Sequence, residues 1–302
     1  MDSLGLGRNS NSQNVNLIME KVSIEDLLKS GAHYGHPISK WNPQFKPFIV
    51  AKKNGICIID LKSTLSYLDK AVKELVNISK AGGNVLFVGT KSQAKDIVQT
   101  CADECGMFYI VERWLGGTLT NFSTIKKSIN RLVMLDKESS PIYKDKTKKE
   151  RNMLIREKLK LSDLHRGIKD MKHLPSALFV IDAKHEMIAI DEAKCLGIPT
   201  FGLVDTNTNP FTLDFPIPAN DDSIKTIKLI MTYITKSIHD AVGPTNDKEV
   251  VSESKKSEAG DQTTSSNTAE SPVQDAEEKN EPALDSSVES TIEEKQEENT
   301  KK

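Results

Sequence analysis

Apolar and polar residues alternate with two different periods along the middle of the chain. Short apolar runs bounded by polar residues predict buried β-strands at 56–60, 85–88, 108–111, 177–181, 199–204 and 215–217. Apolar residues that recur every three or four positions predict amphipathic helices at 61–81, 92–105, 188–196 and 221–241. An earlier short helix is predicted to be capped by Ser23 and Asp26 and to end at Gly31. This alternation predicts a doubly wound α/β domain with a mainly parallel sheet covered on both faces.

One insert, 121–172, which we call the arm, interrupts the alternation. Two helical patterns flank the turn signal Ser139-Ser140-Pro141. Their apolar positions are Ile125, Ile129, Leu132 and Leu135 in the first helix, and Leu154, Leu161, Leu164 and Ile168 in the second. The second set has a seven-residue repeat, so we predict an antiparallel coiled-coil helical hairpin that projects from the sheet. The α/β domain itself is then predicted to comprise 22–120 and 173–242.

The two ends of the chain have the composition of unfolded segments. Residues 1–21 are rich in Asn, Ser and Gly and predict a flexible leader, within which Met19 is an alternative start to Met1. Residues 243–302 contain no aromatic side chain and are dominated by Ser, Thr, Glu, Asp and Lys. Such a segment buries too little apolar area to offset its chain entropy, which predicts a disordered acidic tail.

Charge is divided unevenly between the body, 1–242, and this tail. The body contains 34 basic and 27 acidic residues, a net charge of +7, whereas the tail contains 7 basic and 16 acidic residues, a net charge of −9. A basic body beside an acidic tail is compatible with a surface that binds a polyanion.

The cysteines and the hydropathy of the chain indicate a cytoplasmic protein. Cys57, Cys101, Cys105 and Cys195 have no disulfide-rich spacing, and no secretory apolar segment is present, which favours a reducing compartment. No apolar run approaches the roughly 20 residues that a membrane-spanning helix needs. Cys101 and Cys105 lie one helical turn apart. Two interpretations are open: a half-buried pair that packs on the sheet, or a pair that binds a metal or has a redox function.

The segment 113–127, RWLGGTLTNFSTIKK, joins a predicted strand to a cationic helix. Gly116-Gly117 allows a sharp turn, and Thr118, Thr120 and Asn121 are candidate helix caps. The helix that follows carries Lys126, Lys127 and Arg131. Taken alone, these cations are explained by a solvated helix face as well as by contact with nucleic acid.

A loop is predicted at 32–47, with Trp41 flanked by Lys40 and Lys46. Cations beside an aromatic ring stack on bases or pack on riboses. The alternative is a tryptophan folded back over the core.

Gly89-Thr90-Lys91-Ser92 follows a predicted strand and opens a predicted helix, a geometry that favours anions. The longer glycine-flanked run of a P-loop and the GxGxxG pattern are both missing. A backbone phosphate held by Lys91 and a plain helix cap remain as interpretations.

No cofactor is predicted with a defined site. His33 and His36 lie three residues apart, and with Asp205 and Asp222 they offer nitrogen and oxygen ligands suited to zinc or magnesium. A packed histidine-containing loop explains the same residues. His33, His36 and Asp205 are therefore only candidate metal ligands.

Seven segments of this sequence resemble the bacterial small-subunit ribosomal protein S2 family. They are GAHYGHPISKWNPQFKPFI (31–49), KNGICIIDL (53–61), NVLFVGTK (84–91), RWLGGTLTNFSTIKKSI (113–129), GIKDMKHLPSALFVID (167–182), EAKCLGIPTFGLVDTNTNP (192–210) and PIPANDDSIKTIKLI (216–230). They occur in the order of the family and together span roughly 22–242. Each is a weak signal, but seven in order are specific.

The resemblance implies a flavodoxin-like (Rossmann-like) α/β domain with a protruding coiled-coil arm. It also implies a structural constituent of the small ribosomal subunit, without enzymatic activity, that is ribosome-bound in the bacterial cytoplasm. Its expected partners are small-subunit rRNA, neighbouring small-subunit ribosomal proteins and the ribosomal protein S1, and it is expected to be a monomer within the ribosome with no membrane contact.

Basic loops and the arm are the predicted rRNA-binding surface. The predicted contacts are Lys40, Trp41, Asn42, Lys46, Lys52, Lys53, Lys91, Arg113, Asn121, Lys126, Lys127, Arg131, Lys146, Lys148, Lys149, Arg151 and Arg166. Lysines and arginines neutralise phosphates and release counterions, so binding should weaken as salt rises.

Two other functions are compatible with parts of this sequence. A doubly wound sheet binds ligands at the carboxyl ends of its strands, which allows a ligand-binding protein or an enzyme acting on a phosphorylated small molecule. Those ends carry Lys91, Arg113, Asp182 and Asp205 but no complete catalytic triad or cofactor loop. Eukaryotic relatives of the family are implicated in laminin binding, which allows an adhesion role. That role is disfavoured because no export signal or surface anchor is present.

Overall fold

Strands and helices alternate through the computed structural model, which describes residues 22–137, 143 and 146–242. The helices are α1 (Ile24–Ser30), α2 (Leu61–Lys80), α3 (Lys95–Cys105), α4 (Phe122–Asp136), α5 (Lys148–His165), α6 (Met187–Cys195) and α7 (Ile224–Val242). The strands are β1 (Tyr34–Pro37), β2 (Ile49–Lys53), β3 (Ile56–Ile59), β4 (Val85–Val88), β5 (Phe108–Ile110), β6 (Ala177–Ile181), β7 (Thr200–Val204) and β8 (Phe215–Pro218).

A five-stranded sheet in the order β5-β4-β6-β7-β8 forms the centre of the domain. All four neighbouring pairs are parallel, which confirms the predicted parallel sheet. Strands β4, β6 and β7 are buried along their whole length, as expected where helices cover both faces.

Two hydrophobic clusters cover the opposite faces of this sheet, because successive side chains of a strand point to opposite sides. Phe87 and Phe179 face the cluster that contains α2, α3 and α7. Leu86 and Val180 face the other cluster, to which α4 and α6 contribute. The sheet is therefore covered on both sides, which confirms the doubly wound α/β architecture.

A second, three-stranded sheet in the order β1-β3-β2 differs from the sequence prediction. The strand predicted at 56–60 is present, but both of its neighbours are antiparallel to it. Asn54 and Gly55 form a two-residue hairpin loop in which both residues have positive φ, 53° and 77°. The segment 32–47, predicted as a loop, contains β1 and most of two 3-10 turns at Ile38–Lys40 and Pro43–Phe48.

The ends of two helices show where local capping is predictable. Ser23 and Asp26 form a capping box at the start of α1, and Gly31 ends the helix with φ of 83°, as predicted. Helix α3 begins at Lys95 and not at the predicted Ser92, because residues 92–94 form a turn in which the amides of Ala94 and Lys95 donate to the carbonyl of Lys91.

The two helices of the arm contact each other in antiparallel order. Near the domain, Ser128 Oγ lies 2.9 Å from His165 Nε2. Farther along, Lys158 Nζ lies 3.2 Å from a carboxylate oxygen of Asp136. Helix α4 buries its predicted apolar positions, whereas the leucines predicted for the seam of α5 are only partly buried. A supercoil between the two helices stays a prediction.

Three predicted features lie outside the described residues: the leader at 1–21, the turn at Ser139-Ser140-Pro141 and the tail at 243–302. Within the described ranges, every helix is too short or too polar to span a lipid bilayer.

Gly202 on β7 lies so close to β6 that a larger residue should destabilise the sheet. A Cβ atom at this position would lie 2.5 Å from the carbonyl oxygen and 2.5 Å from a side-chain methyl of Val180. We expect Gly202→Ala to lower the free energy of unfolding by about 1–3 kcal/mol, measured by urea denaturation. Gly116→Ala is the matched control, because no atom lies within 4 Å of its added Cβ. Equal stability of the two variants would contradict this packing.

Candidate nucleic-acid interface

A buried carboxylate, Glu192 on α6, organises the loop that leads into the arm. Its Oε1 accepts hydrogen bonds from the indole of Trp114 at 3.1 Å and from the backbone of Gly117 at 2.8 Å. Its Oε2 accepts from the backbone of Leu119 at 3.0 Å and from the backbone and hydroxyl of Thr120, each at 3.1 Å. Five donors from one loop therefore converge on one side chain, just before α4 begins.

These contacts explain the ionisation of Glu192. Burial alone would raise its pKa, but the hydrogen bonds to the carboxylate, from Thr120, Trp114, Gly117 and Leu119, outweigh burial and hold the pKa below the ordinary value. Glu192 is not among the residues that the sequence predicts for a site. The signal that could have found it is a charged residue between Ile190 and Ala193, on the buried side of a short apolar helix.

Trp41 and Lys52 form a cation–π contact at the edge of the three-stranded sheet. The ammonium of Lys52 lies 4.0 Å from the centroid of the indole ring, and Trp41 is partly exposed. Lys40, Lys46 and Lys53 are exposed in the same segment. The cation that the structure places on the Trp41 ring is therefore Lys52, whereas the sequence prediction named Lys40 and Lys46 beside it.

Two predicted contacts, Asn42 and Asn121, have local structural roles. The side-chain oxygen of Asn42 accepts a hydrogen bond from the backbone of Gln44 at 2.9 Å and caps a 3-10 turn. The side-chain oxygen of Asn121, at the start of α4, accepts from the hydroxyl of Thr124 at 2.9 Å. These bonds use the side-chain oxygens, whereas a phosphate contact would use the Nδ2 amide donors, so they do not conflict with the predicted contacts.

The predicted cations fall into two groups by their ion pairs. Those that are exposed and make no ion pair with the described residues are Lys40, Lys46, Lys52, Lys53, Arg113, Lys126, Lys127, Lys148, Lys149 and Arg151. Those paired with a carboxylate are Arg131 with Glu157 at 3.0 Å, Lys146 with Glu150 at 4.0 Å and Arg166 with Glu112 at 3.5 Å. The first group is the larger source of positive charge available to a polyanion.

Lys91 is placed differently from the other predicted contacts. Its ammonium lies 2.6 Å from Asp222, 2.7 Å from Asp221 and 3.4 Å from Asp182. These carboxylates outweigh burial and raise the pKa of Lys91. Because they already neutralise the ammonium, the surroundings are unfavourable for the predicted phosphate contact.

The loop that contains Lys91 is acidic on its other side as well. The backbone of Thr90 donates to buried Glu186 at 3.3 Å, and the Thr90 hydroxyl also bonds this carboxylate. An anion here would lie near carboxylates, which is unfavourable for a backbone phosphate held by Lys91, and that contact stays a prediction. The same carboxylates are unfavourable for a phosphorylated small molecule at these strand ends.

The candidate metal ligands are only partly brought together. His36 Nδ1 lies 2.8 Å from Asp205 Oδ2, and His36 Nε2 lies 3.6 Å from Asp222 Oδ2. The bond to Asp205 raises the pKa of His36 despite burial, and burial with repulsion from Asp182 and Asp205 raises the pKa of Asp221. His33 is not a member of the group of clustered ligands: its ring lies against Tyr34, with centroids 3.9 Å apart.

Cys101 and Cys105 are placed as the half-buried pair on the sheet, which is one of the two interpretations of their spacing. Cys101 belongs to the core on the α3 side of the sheet, and Cys105 is partly buried against it. Burial raises the pKa of both thiols, which disfavours the reactive thiolate form.

Comparison with known proteins finds one family model and several relatives that match most of this chain. The family model for ribosomal protein S2 matches residues 27–241. The chain is 51% identical over 232 residues to small ribosomal subunit protein uS2 of Chloroherpeton thalassium, an alignment covering 76% of this chain and 93% of the relative. It is 47% identical over 236 residues to uS2 of Chlorobaculum parvum, covering 78% of this chain and 94% of the relative. It is 48% identical over 224 residues to uS2 of Cytophaga hutchinsonii, covering 74% and 88%.

Replacing the buried carboxylate should destabilise the fold in a pH-dependent way. Glu192→Gln places an amide donor against backbone donors, and we expect it to lower the free energy of unfolding by about 3 kcal/mol at neutral pH. The lowered pKa stabilises the native protein fully above the ordinary value of 4.5, and this contribution is lost as pH falls below it. The difference between the native protein and Glu192→Gln should therefore shrink in acid, as followed by urea denaturation across pH.

Asp191→Asn is the control for this experiment, because Asp191 is the exposed neighbour on the same helix. Its stability should differ little from that of the native protein. If Glu192→Gln were as stable as Asp191→Asn at neutral pH, the organising role of the carboxylate would be refuted.

Proposed function

The chain belongs to the ribosomal protein S2 family, and from that premise we propose that it binds small-subunit rRNA through two groups of exposed cations. As a member of this family it is a structural constituent of the small ribosomal subunit, associated with rRNA and other ribosomal proteins, and is not an enzyme. The proposal concerns which residues make the contacts and how.

The unpaired cations at the start of α5 are the observation that supports this proposal most strongly. Lys148, Lys149 and Arg151 are exposed and make no ion pair with the described part of the chain. Lys148 and Lys149 line a surface depression together with Arg156. Cations that are not already neutralised gain the most from a phosphate, because bringing the two together releases condensed counterions.

The second proposed group of cations lies on the α/β domain around the three-stranded sheet. Lys40, Lys46 and Lys53 would contact phosphates, while the Trp41 ring with Lys52 above it would pack on a ribose or a base. In A-form RNA the deep groove is poorly accessible to side chains, so recognition would depend on RNA shape.

Attachment at two places would define how the protein is oriented on the subunit. The arm would contact one element of the rRNA and the domain another, with Arg113, Lys126 and Lys127 near the joint between them. Arg131, Lys146 and Arg166 would contribute less, because each already has a carboxylate partner. Asn42 and Asn121 would donate from their side-chain amides, and Lys91 is left out of the proposed surface because carboxylates already neutralise its ammonium.

Two finer features of the proposed function rest on the family alone. We propose that the protein helps to hold ribosomal protein S1 on the subunit and that it is present as one copy per subunit in the bacterial cytoplasm. Detecting S1 on subunits assembled with and without this protein would test the first of these.

Sedimentation of a cell lysate at low and high salt tests ribosome association and its electrostatic character. We expect the protein to travel with the small subunit at low salt and to leave it as salt rises, because counterion release weakens with ionic strength. The fractions would be probed with an antibody against the chain. A protein that stays at the top of the gradient at both salt concentrations would contradict the ribosomal assignment.

Neutralising the start of α5 should weaken rRNA binding more than removing the same charge elsewhere. We expect a triple Lys148→Gln, Lys149→Gln, Arg151→Gln variant to bind purified small-subunit rRNA more weakly. The slope of log affinity against log salt should fall by about one for each phosphate that the variant no longer neutralises. Filter binding over a salt series gives both quantities.

The matched control removes three exposed lysines from the α2 and α7 side of the sheet, with Lys73→Gln, Lys225→Gln and Lys228→Gln. Both triple variants change the net charge by the same amount. Equal losses of affinity would mean that binding reflects overall charge, and the proposed location would be wrong.

A further inference from the structure

Helix α5 of the arm has apolar side chains on two of its sides. Leu154 and Leu161 are partly buried and belong to the seam predicted for the contact with α4. Ile155 and Leu159 are not part of that seam and are 47% and 59% exposed. A surface helix with a single packing partner normally has a polar opposite side, so a second apolar side indicates a second partner.

The ion pairs between the two arm helices show which side of α5 faces α4. Glu157 pairs with Arg131 at 3.0 Å, and Lys158 Nζ lies 3.2 Å from a carboxylate oxygen of Asp136. Positions 157 and 158 therefore face α4, and the next residue, Leu159, is turned by about 100° from Lys158. Leu159 and the residue four positions before it lie beside each other, away from this contact.

Each member of this apolar pair is followed by a cation. Arg156 and Lys160 are exposed and make no ion pair with the described residues. Met153, 62% exposed, adds a flexible apolar side chain of a kind common at protein-binding surfaces. One carboxylate, Asp163, is exposed nearer the end of the helix. We call this surface the outer face of α5; it comprises Met153, Ile155, Arg156, Leu159 and Lys160.

The chemistry of the outer face favours a protein partner over RNA and over a second copy of this chain. The surface of an RNA helix is lined by phosphates, which attract Arg156 and Lys160 but leave the apolar pair without an apolar partner. Two copies meeting through this face would bring like charges together, which is unfavourable. A helix with apolar residues beside Asp or Glu complements both parts of the face.

We propose that the outer face of α5 binds an acidic amphipathic helix of a neighbouring protein of the small subunit. Apolar side chains of that helix would pack on Ile155 and Leu159 and remove them from water. Its carboxylates would pair with Arg156 and Lys160 at the rim, which favours this partner over basic ones.

The partner helix is reached only on the assembled subunit, so this inference rests on the proposed function, but it uses other residues. The cations proposed for rRNA at the start of α5 are Lys148, Lys149 and Arg151, and the outer face continues from them toward the domain. An rRNA element and a protein helix can therefore occupy successive parts of α5.

Photo-crosslinking in purified small subunits tests this contact. The full-length chain, with p-benzoylphenylalanine in place of Leu159, is incorporated into subunits in cells, and the subunits are purified and irradiated. We expect a cross-link to one ribosomal protein, which mass spectrometry maps to a segment with apolar and acidic residues. The same probe in place of Lys73, exposed on α2, is the control and should not reach that segment.

A carbodiimide tests the charged part of the contact, because it couples a lysine amine to a carboxylate that the amine touches. We expect Lys160 to couple to Asp or Glu of the same segment. Ile155→Gln combined with Leu159→Gln should lower the yield of this coupling at least about fivefold, since the apolar contact is lost. These substitutions keep the net charge, so filter binding to rRNA should stay unchanged. Both positions are exposed, and circular dichroism confirms that the variant is folded.

A cross-link from position 159 to rRNA, to a second copy of this chain or to another part of the same chain would overturn the inference, as would no cross-link. A partner segment without acidic residues would overturn it too. Each of these results leaves the proposed function intact when the chain travels with the small subunit. A chain that is absent from the subunit would instead refute the proposed function, and this inference with it.

Discussion

The convergence of five hydrogen-bond donors on the Glu192 carboxylate is the interaction on which the position of the arm depends. The loop it organises contains two adjacent glycines, and Gly117 has φ of 88°, so the loop's own preferences do not select one shape. The carboxylate of Glu192, buried on helix α6, selects one shape of the loop by accepting these hydrogen bonds. Since α4 starts just beyond this loop, its direction is set by a contact with the sheet-packed helix α6, and the cations of the arm are carried with it.

The distribution of charge separates two regions of the domain. At the strand ends where doubly wound proteins often bind ligands, this protein places carboxylates, which repel anions. The available cations lie on the small antiparallel sheet, at the loop after β5 and along the arm. The strand ends therefore suit a cation better than an anion, and the cations available to a polyanion lie at the periphery of the domain.

Comparison of sequence and structure shows which features local patterns can predict. Strands β4 and β6 are uninterrupted apolar runs between turns, and their bounds agree with the pattern. Asn54-Gly55 is a typical hairpin-turn sequence. Most residues of β2 are exposed, however, so this strand is not recognisable as a buried apolar run. The roles of Glu192 and Lys91 depend on partners about 70 to 130 residues away, and no local period contains that information. The charge of Lys91 is visible in the sequence, but its neutralisation is not.

The unequal burial of the two arm helices has a consequence for motion. Helix α4 is fixed by Ile125, Ile129, Leu132 and Leu135, whereas α5 buries only His165 and is held partly by ion pairs near the surface. Such pairs contribute little free energy each, so α5 opens more easily than the helices that cover the sheet. Its amides should exchange with solvent deuterium sooner than those of α2 or α7. An RNA that docks on α5 would slow this exchange, and part of the binding free energy would be spent on suppressing local unfolding.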